Sequence, residues 1–340
     1  MVLRIALTQA LVLKTPDHAV VSTALPLVEG APRRLVHGVL ARLLRESAEL
    51  PEHPTLPDPW ATRWTLSWGE EVVAAAGRSL AQPAPVDLQF GRDFPAPEGG
   101  ISLLPNHVRL PAGGRIEDIP GFQEGAWWVQ DIAASLPARI LAPTPGERVL
   151  DMAAAPGGKT MQLAAAGAQV TALDPSNVRI ERLRENLART GLSAEIVETD
   201  ALAYTMDSPF DAVLLDAPCS GTGIFRRHPD VLHLRQPNRM GEIVALQARL
   251  LDHAASLTRP GGRLVYSVCS LEQREGEEQI AAFLKRMPGW NTAPDPTDRL
   301  PKGVELTAAG WVRTLPGMLE SVGGLDGFFI AELTAPERPA

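Results

Sequence analysis

The chain has 340 residues, a formal charge of −8 from 32 basic and 40 acidic residues, and 45% hydrophobic residues. This length allows about two domains with buried cores, and the composition is that of a globular rather than a disordered protein. The acidic balance argues against a protein that coats DNA through general positive charge, because phosphate binding depends on clustered lysine and arginine. The net negative charge does not exclude a local basic groove.

The cysteine content and the hydropathy of the sequence exclude several further classes of protein. Cys219 and Cys269 are the two cysteines, and no CxxC pair occurs, which excludes a disulfide scaffold and a zinc ribbon or finger. The longest uncharged stretch, 160–173, is shorter than the roughly 18 apolar residues of a membrane span. The start, Met1 to Leu13, lacks a small-residue cleavage site and is predicted to begin a helix rather than a signal peptide. We therefore expect a reducing, cytoplasmic setting.

The first third of the chain is predicted to be mainly helical. Apolar residues between Leu35 and Leu44 fall at helical spacing within residues 1–50. The proline-rich stretch Pro51 to Pro59 indicates a linker, and Trp60 to Ala81 is predicted to form another amphipathic helix. Residues 82–125 are dense in proline and glycine, with short apolar runs.

From Pro145 onward, short β-rich apolar runs alternate with helical segments. Strands are predicted at 148–152, 169–173, 196–199, 211–215 and 263–268, and helices at 160–166, 177–189, 242–257 and 275–285. This alternation is typical of βαβ units in an α/β fold, with a mainly parallel sheet covered by helices on both faces. Ligands bind such sheets beyond the carboxyl ends of the strands, so the polar residues there are the site candidates.

The first predicted strand leads into a loop that contains Gly157, Gly158 and Lys159. Glycines let a backbone approach a ligand closely, and the start of the next helix offers free amides. A Walker A loop requires glycine where Ala153 stands, and the GxGxxG dinucleotide fingerprint is absent. The loop is therefore predicted to bind a nucleoside whose tail is not a phosphate chain.

Four acids close successive predicted strands: Asp151, Asp174, Asp200 and Asp216. Asp174 follows Asp151 by 23 residues, close to the roughly 20-residue interval at which an acid meets ribose hydroxyls in nucleotide-binding folds. An aspartate in such a place also commonly caps a helix. Because all four follow strand ends, the pattern favours a ligand site at one edge of the sheet.

Both cysteines follow predicted strands that are neighbours in the chain, and a serine comes after each one. A lone cysteine is more often a buried small hydrophobic residue, whereas a nucleophile is exposed at a strand exit. A zinc deaminase also carries a Pro-Cys step but needs Cys-x-x-Cys, which is absent. Lys159 stands at a helix start, where the helix dipole disfavours a cation, so it is expected either to be solvated or to pair with Asp151, Asp216 or a base.

Four segments resemble the RNA cytosine-C5 methyltransferases of the bacterial ribosomal small-subunit type, the RsmB/Sun and nucleolar-protein group. They are residues 150–160, 216–220, 226–230 and 268–270, within a resemblance that covers roughly 120–333. It implies a Rossmann-like methyltransferase fold with S-adenosylmethionine as methyl donor. The sequence departs from the family at Val268, where threonine commonly precedes the nucleophile, and at Ala153, where cysteine is frequent.

The resemblance also implies roles for individual residues. It makes Cys269 the nucleophile and Cys219 the residue that helps to release product, with Asp216 and Lys159 completing the catalytic set. Spacing alone leaves the attacking cysteine open, because in DNA cytosine enzymes the Pro-Cys cysteine attacks. The implied donor site consists of Ala153, Ala154, Ala155, Pro156, Gly157, Gly158, Lys159, Asp174, Arg179, Asp200 and Asp216.

Basic residues crowd the segment after Cys219 and could hold RNA phosphates or form a solvated face. Arg226, Arg227 and His228 are the predicted RNA ligands, and His233, Arg235 and Arg239 follow them. Few aromatic residues lie nearby in the sequence, which favours recognition of folded RNA by shape over base stacking.

The resemblance implies three parts. Residues 1–50 resemble the last helices of an antitermination-factor-like RNA-binding domain, 51–125 a linker and small mixed α+β domain, and 126–335 the methyltransferase domain. The expected partner is RNA, with ribosomal RNA as the first candidate, and no membrane, no metal and a monomeric chain are expected. The alternatives are a non-catalytic RNA-binding or ribosome-assembly protein that keeps the cofactor fold, or the same chemistry on transfer RNA or DNA.

Overall fold

The computed structural model describes residues 1–46, 48–234, 239–293 and 296–337, in two compact units, Met1–Pro54 and Thr55–Ala340. The first unit consists of helices α1 (Val2–Leu7), α2 (Asp17–Ala24) and α3 (Ala31–Arg45), with a π-helical turn after α1. Ala6, Val20 and Leu40 lie in its buried core. The predicted helical character of this segment is confirmed, and α1 and α2 show that it extends before α3.

The second unit begins with two helices, α4 (Asp58–Trp68) and α5 (Glu70–Leu80), where the sequence predicted one. Gly69 separates them with a φ of 89°, a conformation that favours glycine and ends α4. Pro59 lies in the first turn of α4, where the missing N–H of proline costs no helical hydrogen bond. The single-helix prediction is therefore wrong at Gly69.

A small antiparallel sheet follows, with β1 (Val86–Phe90) between β2 (His107–Leu110) and β3 (Trp127–Val129). Its buried Asp87 accepts hydrogen bonds from the Arg109 guanidinium at 2.6 and 2.7 Å and from the Ile132 N–H at 2.9 Å. This carboxylate ties the sheet to the next helix. Residue 126, the predicted start of the methyltransferase domain, lies directly before β3.

The described residues form a second sheet of eight strands in the order β10-β11-β8-β7-β4-β5-β6, with β9 paired to β11. The neighbouring strands β8, β7, β4, β5 and β6 are parallel to one another, and β11 runs antiparallel to β8. Strand order reverses between β4 and β7, which is where such sheets open a ligand crevice. The strands are β4 (Arg148–Asp151), β5 (Gln169–Asp174), β6 (Glu195–Glu198), β7 (Phe210–Asp216), β8 (Thr258–Val268), β9 (Asn291–Thr292), β10 (Val312–Arg313) and β11 (Phe329–Thr334).

Helices cover both faces of this sheet and bury its apolar side chains. On one face, Leu215 and Tyr266 pack with Leu251 and Phe283 of helices α10 and α11, and the opposite face packs against α6 and α7. The helices are α6 (Ile132–Leu141), α7 (Gly158–Ala165), α8 (Asn177–Thr190), α9 (Val231–Leu234), α10 (Met240–Leu257) and α11 (Glu277–Arg286). The predicted Rossmann-like α/β class and its five parallel strands are confirmed, whereas α6 and β9 to β11 were not predicted. In the described part of the chain, no helix has the length and apolar character needed to cross a bilayer.

A buried ion-pair network fixes the segment after Cys219 against the sheet. Arg226, whose side chain is 4% exposed, binds Asp326 at 2.7 Å and also contacts Asp131. Arg227 binds Asp131 at 2.8 Å. These contacts contradict the predicted phosphate contact of Arg226, because its guanidinium is enclosed by carboxylates. Arg227 directs its guanidinium to the same two acids, whereas His228 is exposed.

Burial and charge act differently on the two acids of this network. Burial raises the pKa of both carboxyl groups, but the guanidinium charges of Arg226 and Arg227 outweigh it at Asp131, whose pKa is lowered. At Asp326, burial and the neighbouring Asp131 charge raise the pKa to about 7. The network therefore depends on both arginines to offset two acids that the protein has taken out of water.

We expect Arg226→Ala to lower the free energy of unfolding by about 3–5 kcal/mol, because two buried carboxylates must then share the charge of Arg227. Arg239→Ala is the matched control, since Arg239 is exposed and pairs with the exposed Glu242. That change should stay within about 0.5 kcal/mol of the wild type. Urea denaturation followed by circular dichroism measures both, and equal losses in the two variants would show that the network is not structural.

Candidate active site

The loop between β4 and α7 forms one wall of a cleft at the carboxyl edge of the sheet. Gly157 has a φ of 108°, and a Cβ there would lie 2.5 Å from the Leu183 side chain. Glycine is thus required by backbone conformation and by packing on α8, in addition to any approach of a ligand. Thr160 donates to Asp151 at 2.7 Å, which fixes the loop to the end of β4.

The cleft has a volume of about 290 Å³. The strand-end acids Asp151 and Asp216 line it, together with Lys159 and the unpredicted Gln130. The predicted loop residues that line it are Ala153, Ala154, Ala155, Pro156 and Gly158. The predicted donor loop therefore supplies one wall of the cleft, and other segments supply the rest of its lining.

One carboxylate oxygen of Asp151 in this cleft accepts no hydrogen bond from the described residues. Its Oδ1 is buried and has no hydrogen-bond partner among the described residues, while Oδ2 accepts from Thr160. Burial raises the pKa of Asp151 to about 6, against the lowering effects of Thr160 and Lys159. An unsatisfied carboxylate oxygen in a cleft is suited to accept a hydrogen bond from a polar ligand.

Lys159 pairs with Asp216 at 2.7 Å, one of the partners that its position at a helix start predicted. Burial alone would lower the pKa of Lys159, but the charge and hydrogen bond of Asp216 and the charge of a Cys269 thiolate raise it. The other Asp216 oxygen accepts from Ser267 Oγ at 2.8 Å. Ser267 was not predicted, because its role depends on the register that places it opposite Asp216.

The two cysteines meet beside this ion pair. Cys219 Sγ and Cys269 Sγ are 3.4 Å apart, and both residues are partly buried. The hydrogen bond with Cys269 raises the pKa of the Cys219 thiol well above its ordinary value, and burial adds to this effect. Nearby Glu275 and Asp216 charges act in the same direction. Cys219 is therefore held in the thiol form.

The remaining predicted donor residues lie around the loop. Asp174 is buried and accepts from the Ala155 and Ser176 N–H groups at 3.3 and 3.0 Å. Arg179 pairs with Asp174 at 3.2 Å and donates to the Ala155 carbonyl. Asp200 is exposed and accepts from the Leu202 N–H at 2.9 Å, which matches the capping alternative.

The basic segment contributes little to the cleft beyond Arg227, which lines it. His228 and Arg239 are exposed, and Arg235 lies outside the described residues. Within the described ranges, no group of three or more histidine, cysteine or acidic side chains is arranged to hold a metal ion. The site thus combines a ligand cleft, an ion pair and two adjacent thiols.

Comparison with known proteins places the chain in a family. The model of the "16S rRNA methyltransferase RsmB/F" family matches residues 138–334. The "Ribosomal RNA small subunit methyltransferase B" of Klebsiella pneumoniae is 35% identical over 365 residues, covering 97% of this chain and 80% of that protein. The protein of the same name from Xylella fastidiosa is 37% identical over 357 residues, with the same coverage.

Two solved structures have the same fold. A methyltransferase homologue from Pyrococcus horikoshii has a TM-score of 0.67 and 28% identity, covering 87% of this chain and 98% of that one. The NSun6 structure from the same organism, solved with SFG, has a TM-score of 0.69 and 18% identity, covering 84% and 99%. The family match and the two sequence relatives confirm the predicted methyltransferase class and its cofactor, S-adenosylmethionine. The chain belongs to the RsmB/F family of 16S rRNA methyltransferases.

Proposed function

We propose that the chain transfers a methyl group from S-adenosylmethionine to C5 of a cytosine in small-subunit ribosomal RNA, through a covalent bond between Cys269 and C6 of the base. The observation that carries the proposal is the pair of sulfur atoms 3.4 Å apart beside the Lys159–Asp216 ion pair. Cytosine C5 is a poor nucleophile until a group adds at C6, and a thiolate can add reversibly. The site offers two sulfur atoms for one addition and one release.

The methyl donor fits the cleft next to the loop of residues 153–159. The unpartnered Oδ1 of Asp151 and the loop backbone offer polar contacts, and Asp174 fixes the loop through the Ala155 N–H. When bound, S-adenosylmethionine supplies an electrophilic methyl group. The residues of the chain then have to activate the base and release the product.

Attack requires one thiolate and gains from one nearby cation. The raised pKa of Cys219 keeps its proton in place, so the neighbouring sulfurs are not both anionic. The attraction between Lys159 and a Cys269 thiolate is among the contributions that raise the lysine pKa, and the same attraction stabilises that thiolate. Both effects favour Cys269 as the attacking sulfur.

Release requires a base for the C5 proton, and covalent attachment of Cys269 provides one. A Cys269 sulfur bonded to C6 no longer carries the negative charge that raises the pKa of Cys219. The Cys219 thiol can then lose its proton to solvent, and its thiolate takes the proton from C5 as the bond from Cys269 to C6 breaks. Cys269 departs as a thiolate and the cycle can repeat.

Asp216 is the group that faces the reacting base. Its oxygens already accept from Ser267 and Lys159, which fixes the carboxylate in one orientation. In that orientation the carboxylate can accept a hydrogen bond from the N4 amino group of cytosine, or share a proton with N3, which becomes more basic as the thiolate adds at C6. The base must leave any stack to reach this position.

We expect Asp174→Ala to weaken binding of S-adenosylmethionine by roughly tenfold to a hundredfold, which corresponds to about 1.5–3 kcal/mol for a lost charge-assisted hydrogen bond. Without the carboxylate, the Ala155 N–H loses its acceptor and Arg179 loses its partner. Glu185→Ala, which removes an exposed acid from α8, is the control and should bind as the wild type does. Isothermal titration calorimetry measures both, and wild-type affinity in Asp174→Ala would remove this residue from the donor site.

Replacement of each cysteine should block a different step of the reaction. We expect Cys269→Ala to abolish methyl transfer and to form no covalent complex with RNA, because no adduct can form. Cys219→Ala should accumulate a protein–RNA complex that survives denaturing electrophoresis, because the adduct forms but is not released. The complex should require both RNA and methyl donor and should be missing from the double variant.

The reverse pattern, with trapping by Cys269→Ala alone, would make Cys219 the nucleophile. Unchanged methyl transfer in both variants would refute covalent catalysis, whereas a wild-type chain that binds RNA but transfers no methyl group would favour the non-catalytic alternative.

Bisulfite sequencing of cellular RNA tests the substrate. We expect a 5-methylcytosine in small-subunit ribosomal RNA that disappears when the protein is removed and returns with the wild-type chain but not with Cys269→Ala. A lost mark in transfer RNA or DNA instead would move the same chemistry to that substrate.

A further inference from the structure

One carboxylate lies beneath both cysteine loops and was not predicted from the sequence. Glu275 is fully buried in the turn between β8 and α11. Its Oε1 accepts from the backbone N–H of Ser220 at 2.8 Å, and its Oε2 accepts from Ser220 Oγ at 2.5 Å and from Ser270 Oγ. Ser220 directly follows Cys219 and Ser270 directly follows Cys269. The same side chain therefore binds the residue next to each thiol.

Further contacts make this carboxylate rigid. Gln247 Nε2 of α10 donates to Glu275 Oε1 at 3.0 Å and to the Pro218 carbonyl at 3.0 Å. Tyr266 donates its hydroxyl to the Glu275 carbonyl at 2.7 Å. Strand β8, helix α10 and both cysteine loops thus converge on one residue.

Glu275 makes no ion pair with any described residue, although its side chain is fully removed from water. The nearby Glu272, equally part of this turn, instead pairs with Arg63 and accepts from Trp64 at 3.1 Å. An unpaired buried carboxylate is costly unless several donors satisfy it, as the two serines and Gln247 do here. The protein therefore bears this desolvation cost at a residue that joins the two cysteine loops.

We propose that Glu275 is a positioning residue that holds the Cys219 and Cys269 sulfur atoms within reach of one another by bridging Ser220 and Ser270. The proposal rests on the proposed function, since attack and release need two sulfurs around one base. Without the bridge, the Gly223 N–H to Cys269 carbonyl bond and the direct contact between Ser220 Oγ and Ser270 Oγ, both at 3.0 Å, still join the loops. The two serine hydroxyls lose the common acceptor that holds them in place, so the thiols separate while the sheet stays intact.

The test compares Glu275→Ala and Glu275→Gln with the wild type and with Glu272→Gln in the full chain. Glu272→Gln is the matched control, because it neutralises a buried carboxylate of the same turn whose side chain contacts neither serine. The first measurement is the rate of capture by phenylarsine oxide, a trivalent arsenical that must bind two neighbouring thiols. It needs neither RNA nor methyl donor. The second is single-turnover methyl transfer to small-subunit ribosomal RNA at saturating donor.

We expect Glu275→Ala to slow both arsenical capture and single-turnover transfer, the latter by about 100-fold, as for a catalytic group displaced by about 1 Å. Glu275→Gln keeps an acceptor oxygen and should recover part of both rates. Affinity for S-adenosylmethionine should stay within about twofold of the wild type, since Glu275 does not line the cleft. Glu272→Gln should capture the arsenical at the wild-type rate.

Wild-type capture by Glu275→Ala would overturn the proposal, as would an equal loss in Glu272→Gln. If Glu275→Ala does not fold, Glu275→Gln and Ser270→Ala carry the same comparison, and wild-type capture by both would overturn it. A wild-type protein that captures the arsenical but methylates no RNA would refute the proposed function alone, because the capture series still decides what Glu275 does.

Discussion

The parallel pairing of β7 with β8 is the constraint on which the site depends. Its register places Asp216 opposite Ser267, so the loops that follow leave the sheet side by side. Cys219 and Cys269 are 50 residues apart in the chain but come within 3.4 Å because both follow these strand ends. A shift of one residue would turn alternate side chains to the other face and would break the Ser267–Asp216 hydrogen bond. Strand register therefore determines the chemistry.

Buried charge forms the opposite wall of the cleft. Asp131, Arg227 and Asp326 line it, and they come from the start of α6, the segment after β7 and the loop before β11. Paired carboxylates and guanidinium groups fix orientation more strictly than apolar contacts do, at a cost in desolvation. The network thus holds three distant segments in the geometry that the cleft needs, even though Arg226 itself does not line the cleft.

The sequence predicts the parallel strands well because their apolar runs are buried on both sides, and it predicts the strand-end acids because topology places them at one edge. Helix α6 was missed, since Pro137 in its interior is a helix-breaking signal that tertiary packing overrides. The burial of Arg226 was also missed. A run of basic residues looks the same in sequence whether it is solvated or paired, and its carboxylate partners lie about 100 residues away. Glu275 was missed as well, because its partner Ser220 lies 55 residues away in the chain.

The electrostatics of the site favour one thiolate at a time. Asp216 and Glu275 both oppose a negative charge at Cys219, and Lys159 is the cation that interacts with Cys269. Two adjacent thiolates would repel each other in a partly buried site, where charge interactions are stronger than in water. Two adjacent cysteines can therefore carry out addition and elimination in turn only if the negative charge of one sulfur is removed before the other sulfur ionises. In the proposed mechanism, bond formation at C6 removes that charge, so the order of the two steps follows from the arrangement of the charges.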